Sequence, residues 1–588
     1  MTRLVFDIET DSLDPKRIWC LVAKDIDTKQ QYIYGPDQIQ EGCDLLESSS
    51  YVVGHNILGF DIPVIERLTG RKIDSGERKV VDTLVLSRLF NPVREGNHTL
   101  GSWGDRLGYP KINFDKYETY SNEMLEYCIR DVDLNFKVYE ILKKEAAGFS
   151  KQSVDLEHDV YKIIAAQREK GFSFDVRSAE MLSADLREKM EDVRKEVHKV
   201  FKPKVSEVKL YPKFNKTGAL AKTANTVEGT GVRLTEEEYS ELSDKAAASD
   251  GRPVSRFMVT EFNLGSRVQI GEYQQDFGWK PTKFTPHGRP QVDETVLLNI
   301  KGIPEAELIA KYLLLQKRIA QVDSWLEEVK DDGRVHGGVR SNGTITGRMT
   351  HQFPNVAQVP NLGSPYGKEC RECWTVPQGY RLVGVDASQL ELRMLAHYMK
   401  DEEYTNEIVN GDIHAANQRI AGLESRNQAK TFIYALLYGA GDRKLGSVVG
   451  GSADSGKALR RHFFDNLPSF RTLRDKVTRA AGRGFLKGLD GRKIFVRSEH
   501  AALNTLLQSA GALVMKQGLV LYDKALSNFD ADFVANIHDE WQLEAHESCA
   551  KAIGDIGVDC IRKAGEVFEL ACPLDGEYKI GANWSETH

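Results

Sequence analysis

"VANIHDEWQLEA", residues 534–545, sets His538, Asp539 and Glu540 in a row between two runs of strand-forming residues. The flanking runs predict a hairpin with two adjacent carboxylates at its tip. Side by side, two anions repel each other and resist desolvation, and a polyvalent cation would relieve both costs. An acidic surface turn is the plainer reading of the triplet alone. The rest of the chain decides between them.

A chain of 588 residues is too long for one core and predicts three or four structural units. Hydrophobic residues at 41% and charged residues at 28% describe a globular protein. No apolar run approaches the roughly 18 residues of a membrane span, so no membrane partner is expected. "MTRLVFDIE" enters a strand at once, which argues against a signal peptide. Eight thinly spread cysteines fit a reducing cytoplasm better than a disulfide framework, and Cys370 and Cys373 lack the further ligands of a zinc site. A net charge of −7 argues against nonspecific coating of nucleic acid, yet leaves room for a local basic groove beside clustered carboxylates.

The organisation is α/β and multidomain. Residues 1 to about 145 alternate β-rich and helical runs, and about 153 to 200 is helical. From about 201 to 262 the pattern breaks: Lys202, Lys204, Lys209, Lys213, Lys216 and Lys222 precede an acidic stretch. Helical periodicity returns in "ELIAKYLLLQKRIAQVDSWLEEV", and "YRLVGVDASQLELRMLAHYM" reads as a strand running into a helix. A helical block covers about 400 to 480, and no internal repeat is expected.

Two carboxylate clusters stand out. In "LVFDIETD", Asp7 and Glu9 leave the same strand face. Asp61 follows in "GHNILGFDIPVI", and in "YCIRDVD" Tyr127 precedes Asp131 by one helical turn. Four acids from a strand, a loop and a helix could converge on two divalent ions about 3.5–4 Å apart, suited to attack of water on a phosphodiester. In the second cluster, Asp386 ends the strand "RLVGVD" and could meet Asp539 across adjacent strands, with Glu540 supporting. Hard cations such as Mg²⁺ take oxygen ligands and share substrate phosphates. Between the clusters, Arg426, Lys430, Tyr434 and Tyr438 recur every four residues as one stripe, cationic then aromatic, suiting a phosphate chain ending in a flat base.

The first cluster's D-x-E, N-x4-D and Y-x3-D spacing resembles the DEDD family of 3′–5′ exonucleases. "DASQLELRMLAH", "RNQAKTFIYALLYGAG" and "HDE" resemble motifs A, B and C of family A DNA polymerases, in order and spacing. "DTLVLSRL", "GDIHAANQ", "TGRMTHQFPNVAQVP", "LDGRK", "HAALNTLLQSAGAL" and "NWSETH" narrow the likeness to the bacteriophage replicative branch. It extends over the chain except about 201 to 262.

The resemblance implies an RNase H-like 3′–5′ exonuclease domain (1–148), then a right-hand polymerase. Its thumb region would span 149–330 with the insertion at about 201–262, its palm 331–400 and 491–588, and its fingers 401–490. Asp386, Ala387 (through its backbone) and Asp539 would hold two Mg²⁺ ions for nucleotidyl transfer, with Glu540 as accessory acid. Asp7, Glu9, Asp61 and Asp131 would hold two more for hydrolysis, beside Tyr127. Arg426, Lys430 and His414 would meet the incoming deoxynucleoside triphosphate. Tyr434 would line the sugar site, Glu391 would exclude a ribose 2′-hydroxyl, and Tyr438 would stack near the templating pair. Arg348, Asn504 and Gln508 would touch the minor groove of primer-template DNA, and His538 the primer end. No 5′-nuclease domain is expected.

The implied setting is phage genome replication in the cytoplasm of an infected bacterial host, with helicase-primase and single-stranded DNA-binding protein as partners. The phage branch carries a thumb insertion that recruits host thioredoxin. Here the lysines of 201–262 suit direct DNA contact, which is favoured over thioredoxin binding or a solvated loop. The rival classes are a stand-alone DEDD exonuclease with a nucleic-acid-clamping C-terminal region, a single-subunit RNA polymerase, and a non-catalytic replication scaffold.

Overall fold

The computed structural model describes residues 2–76, 79–247 and 252–588. The chain divides into one unit of residues 1–176 with 327–588 and a second of Arg177–Leu326. The helix Lys151–Lys170, grouped from sequence with the thumb region, thus falls in the first unit.

In the first unit, "RLVFDIET" forms the central strand Arg3–Thr10 of a five-stranded sheet. The order is Gln31–Tyr34, Ile18–Asp25, Arg3–Thr10, Tyr51–Gly54, Lys79–Asp82, with the last two joining in parallel. Burial on both faces explains the run of Leu4, Val5, Phe6 and Ile8 without polar alternation. Ser121 caps the helix Asn122–Glu145 by accepting from the Met124 N–H. The helix presses Cys128, Val132, Val138 and Leu142 against Val5, Val22 and Val53. That packing brings Asp131 toward the face from which Asp7 and Glu9 project.

A four-stranded antiparallel sheet forms the unit's other centre, ordered Ala531–Ile537, Glu540–His546, Tyr380–Ala387, Gly576–Gly581. The opening stretch is therefore a tight hairpin, and His538 turns it with a φ of +57°. The helices Ala502–Ala525 and Ala550–Val567 cover the sheet, with the Tyr522 ring 5.5 Å from that of Trp541. Helix Lys151–Lys170 joins this region through fully buried Glu157. Its Oε1 accepts from Arg492 Nη1 and Lys516 Nζ, both at 2.6 Å, and Asp490 holds Arg492 from the other side. Two cations share this acid, but Arg492 also has Asp490, so removing Glu157 strands Lys516 alone.

In the second unit, Ser183 on the helix Val176–Val200 donates to Asp323 Oδ1 on the helix Pro304–Leu326 at 2.7 Å. Residues 201–262, unmatched in sequence and open to a loop reading, are folded. Strands Lys204–Leu210 and Val254–Thr260 pair antiparallel, and the helix Glu236–Ala247 joins them. Leu210, Ala224, Leu234, Leu242 and Val254 make a small core. Without long apolar periodicity, five residues scattered over this span gave little signal.

Two short hairpins in this unit share one backbone pattern. Residues 213–221 and 283–291 form matching hairpins. In each, the third residue's N–H donates to the carbonyl four on (Asn215 to Ala219, 2.9 Å; Thr285 to Arg289, 2.7 Å). A glycine of positive φ turns each tip, Gly218 at +79° and Gly288 at +75°. Only the pattern Lys-Phe-x3-Gly is shared, too short to notice without the backbone.

Candidate active sites

The hairpin register aligns Asp386 with Glu540 on one side and Glu577 on the other, a row of acids across three strands. The Ala387 N–H donates to the Asp539 carbonyl at 3.0 Å, fixing the hairpin tip against the end of the Asp386 strand. Burial and repulsion from Asp539 and Glu540 push the Asp386 carboxyl up to about 8. Glu540 is treated oppositely. Burial opposes its charge, but hydrogen bonds from His588, Gln542 and Trp584 outweigh that and hold it below the usual range. Trp584 Nε1 donates to Oε1 at 2.7 Å, and His588 Nδ1 lies 2.6 Å from Oε2. The sequence reading found neither partner, nor Glu577. "NWSETH" was noticed only as a likeness, and Glu577 looks like one exposed strand position among others.

Opposite this row stands the helix Arg426–Leu437, begun by a reciprocal capping box between Ser425 and Gln428. Arg426 and Lys430 are exposed, Tyr434 is half-buried, and Tyr438 ends the stripe just past the helix. Arg426 Nε donates to Asp412 Oδ2 at 2.8 Å, and Asp412 also caps the helix Ile413–Ala421 that carries His414. Buried His414 lies 6.2 Å from Tyr434, ring centre to ring centre, and its Nδ1 has no hydrogen-bond partner. Burial and the nearby Arg426 and Lys430 hold its imidazole below its usual pKa. Tyr438 Oη donates to both Glu391 oxygens at 2.8 and 2.9 Å, and Arg348 Nη2 reaches Glu391 at 3.2 Å. Three residues singled out separately in sequence thus meet. Asn504 and Gln508 lie one turn apart on Ala502–Ala525, both half-buried. His538 and Arg348 line one small cavity with Asn536 and Trp541.

The N-terminal cluster is denser. Asp61 Oδ1 accepts from the Ile8 N–H at 3.2 Å, between Asp7 and Glu9 in sequence. Burial and repulsion from Asp61, Glu9 and Asp131 push Asp7 well above the carboxylate range. Burial, then Asp131, raises Glu9 to about 9, and burial raises Asp61 to about 7. Lys111 Nζ pairs with Asp131 Oδ2 at 2.5 Å and lies 4.7 Å from the Tyr127 ring centre. Sequence reasoning missed Lys111, which sits in an aperiodic loop. It also missed Cys128, one turn before Val132, whose sulfur shares ligand-forming distance with Asp7 and Glu9.

An acid-ended hairpin in an antiparallel sheet and a helix with a cationic and aromatic stripe make up the second cluster. The sequence profile of DNA polymerase family A matches residues 233–586, and the chain belongs to that family. It is 34% identical to the DNA-directed DNA polymerase of Enterobacteria phage T3 and 33% to that of Escherichia phage T7, each alignment spanning all of both chains. The thermostable DNA polymerase I of Thermus aquaticus is 27% identical over 61% of this chain and 46% of its own. In fold, the chain matches a solved structure, the POL domain of Pol1 from M. smegmatis in complex with DNA primer-template and dNTP. That match has a TM-score of 0.76 and 18% identity over 99% of this chain and 95% of the other.

Proposed function

We propose that this DNA-directed DNA polymerase extends primers for phage genome replication by two-Mg²⁺ nucleotidyl transfer at Asp386 and Asp539, and edits the 3′ end at Asp7, Glu9, Asp61 and Asp131. The observation that carries the reading is that Arg348, which holds Glu391 together with Tyr438, lines one cavity with His538, the residue before Asp539 at the hairpin tip. Acids for catalysis and groups for nucleotide selection then share one cleft.

Both acid sets suit divalent ions. Their donors are hard oxygens, Asp386 is raised to about 8 by burial and its acidic neighbours, and Asp131 Oδ1 is buried without a hydrogen-bond partner. Asp386, Asp539 and the Ala387 carbonyl would hold Mg²⁺ in the palm. Asp7, Glu9, Asp61 and Asp131 would hold it in the N-terminal RNase H-like domain, spanning 1–148. Such ions lower the pKa of an attacking hydroxyl or water and neutralise phosphate charge.

The chain's own groups do the rest. Arg426 and Lys430 grip the triphosphate, Arg by bidentate hydrogen bonds and Lys as a point charge. Asp412 holds Arg426 in place until phosphate competes for it. His414, kept neutral, can donate one hydrogen bond without adding charge. Tyr438 leaves Glu391 to stack near the templating pair, and Glu391 then crowds a ribose 2′-hydroxyl. Arg348, Asn504 and Gln508 test the minor-groove acceptors, which lie alike in all correct pairs. Glu540, already satisfied by His588 and Trp584, supports Asp539 as accessory acid. His538 faces the primer end. At the editing site, Tyr127 and Lys111 orient the strand end and water beside Asp131.

The thumb region, 149–330, contacts the duplex; the palm spans 331–400 with 491–588 and the fingers 401–490. Its folded insertion at 201–262 contacts DNA through Lys202, Lys209 and Lys213, each neutralised phosphate adding salt-sensitive affinity. Helicase-primase and single-stranded DNA-binding protein complete the assembly in the host cytoplasm.

Primer extension with Mg²⁺, using each nucleotide set in turn, tests the reading. Extension only with a complementary template and deoxynucleotides supports it. Ribonucleotide preference would favour an RNA polymerase, and degradation without extension a stand-alone nuclease. On long primed single strands, a large gain in product length on adding host thioredoxin would overturn direct DNA contact by the insertion.

A further inference from the structure

The two matched hairpins of the second unit share more than backbone. At the second position of each, Phe214 and Phe284 bridge to Leu220 and Pro290 yet remain 53% and 56% exposed. At the first position, Lys213 and Lys283 are exposed. The third residue's side-chain oxygen accepts the N–H four on in both: Asn215 from Ala219 at 2.9 Å, Thr285 from Arg289 at 3.2 Å. Asn215 also accepts from Thr217, and Gly218 and Gly288 donate back to Asn215 and Thr285 at 3.0 and 2.9 Å. Each tip is thus rigid in the same way and leaves the same two side chains in solvent.

More than half of each ring is left uncovered by its own hairpin. A half-exposed phenylalanine forgoes about half of the roughly 1.5–3 kcal/mol its full burial would yield. Having it twice, in the same place on the same scaffold, calls for a common use. The surroundings indicate its chemistry. Lys216 stands near the first ring in sequence, and Lys280, His287 and Arg289 near the second, all exposed. No acid lies within either hairpin. A flat apolar face framed by cations fits an unpaired base with its phosphates. Duplex DNA would satisfy the cations alone, because its base faces are already stacked.

We infer that residues 213–221 and 283–291 are twin tips for single-stranded DNA, Phe214 and Phe284 stacking on unpaired bases and Lys213 and Lys283 holding the adjoining phosphates. The inference rests on the polymerase reading for the identity of the polyanion. It goes beyond charge tracking by the insertion, since it adds a second, equivalent tip outside 201–262 and a base-stacking element in each.

The test is photocrosslinking of the full-length protein to a thymidine-type oligomer carrying 5-iododeoxyuridine, with a short hairpin primer-template present in excess to fill the polymerase site. Crosslinks mapped to Phe214 and Phe284 are expected. In fluorescence anisotropy under the same conditions, Phe214→Ala with Phe284→Ala should weaken oligomer binding by about fivefold or more. Lys213→Ala with Lys283→Ala should flatten the salt dependence by about 1.4 in logarithmic slope. Nucleotide addition to the short primer-template by the doubly substituted phenylalanine protein serves as the folding control and reports the polymerase reading independently; for the lysine variant, denaturant unfolding is the folding control. Absence of crosslinks at both rings, or unchanged affinity in the doubly substituted phenylalanine protein while addition is intact, would overturn the inference. So would an equal loss of blunt-duplex binding, which would mark the tips as duplex clamps.

Discussion

The two acid clusters treat the same chemical problem differently. In the N-terminal cluster Asp7, Glu9, Asp61 and Asp131 are all pushed upward by burial, Asp7 and Glu9 also by the acids around them, and Lys111 offsets the pressure on Asp7, Glu9 and Asp131. In the palm cluster only one half is under that pressure. Asp386 is raised to about 8, while neighbouring Glu540 is held charged by His588, Gln542 and Trp584. A carboxylate at a metal site can thus be kept ready by repulsion that a cation relieves, or built into the protein by hydrogen bonds that need no cation. The difference separates acids that would hold metal from one that would support them.

Disabling each cluster alone tests whether the two act independently. Asp386→Asn or Asp539→Asn should reduce extension by at least about a thousandfold, the scale lost when a central catalytic group is removed. Degradation of the 3′ end should remain. Asp7→Ala with Glu9→Ala should do the reverse. Rates of extension and of single-strand degradation, measured on each purified protein, check the division. Loss of both activities from one palm substitution in a folded protein would break it.

Glu157 offers a third buried acid whose cations, Arg492 and Lys516, come entirely from the chain. Glu157→Gln should destabilise the fold by about 3–5 kcal/mol, because buried Lys516 loses its partner and Arg492 keeps only Asp490. Lys516→Met should cost less, since Arg492 still neutralises the acid. Denaturant unfolding of both variants ranks them; the opposite ranking would mean Lys516, not Arg492, carries the network.

Glu391 and Tyr434 sharpen the palm side. Glu391→Ala frees Tyr438 and Arg348 from their contact and opens the space beside the sugar, so ribonucleotide incorporation should rise by about tenfold or more. Competition between matched ribo- and deoxynucleotides measures it, and an unchanged ratio would place the gate elsewhere. The smallest effect is expected at Tyr434. If its hydroxyl replaces a hydrogen bond otherwise made by the substrate's 3′-hydroxyl, Tyr434→Phe should lower dideoxynucleotide use by about 3- to 10-fold. Chain-termination ladders from the two proteins report it, and equal ladders would rule that account out.

Much of the site was legible because its spacing is local. Asp7 and Glu9 share a strand face, Tyr127 and Asp131 one helical turn, and Arg426 to Tyr438 one stripe, so periodicity alone groups them. The "VANIHDEWQLEA" hairpin was legible for the same reason, two strand runs around a two-residue tip. Motif order then made the family resemblance specific. Tertiary structure decided what spacing cannot carry. Lys111 reaches Asp131 from an aperiodic loop, and His588 reaches Glu540 across 48 positions. The Glu577 side of the acid row depends on a strand order that joins distant segments. The insertion's small core and the twin hairpins escaped for a related reason. Their signals are a few apolar side chains and backbone hydrogen bonds, which acquire meaning only when the chain has closed around them.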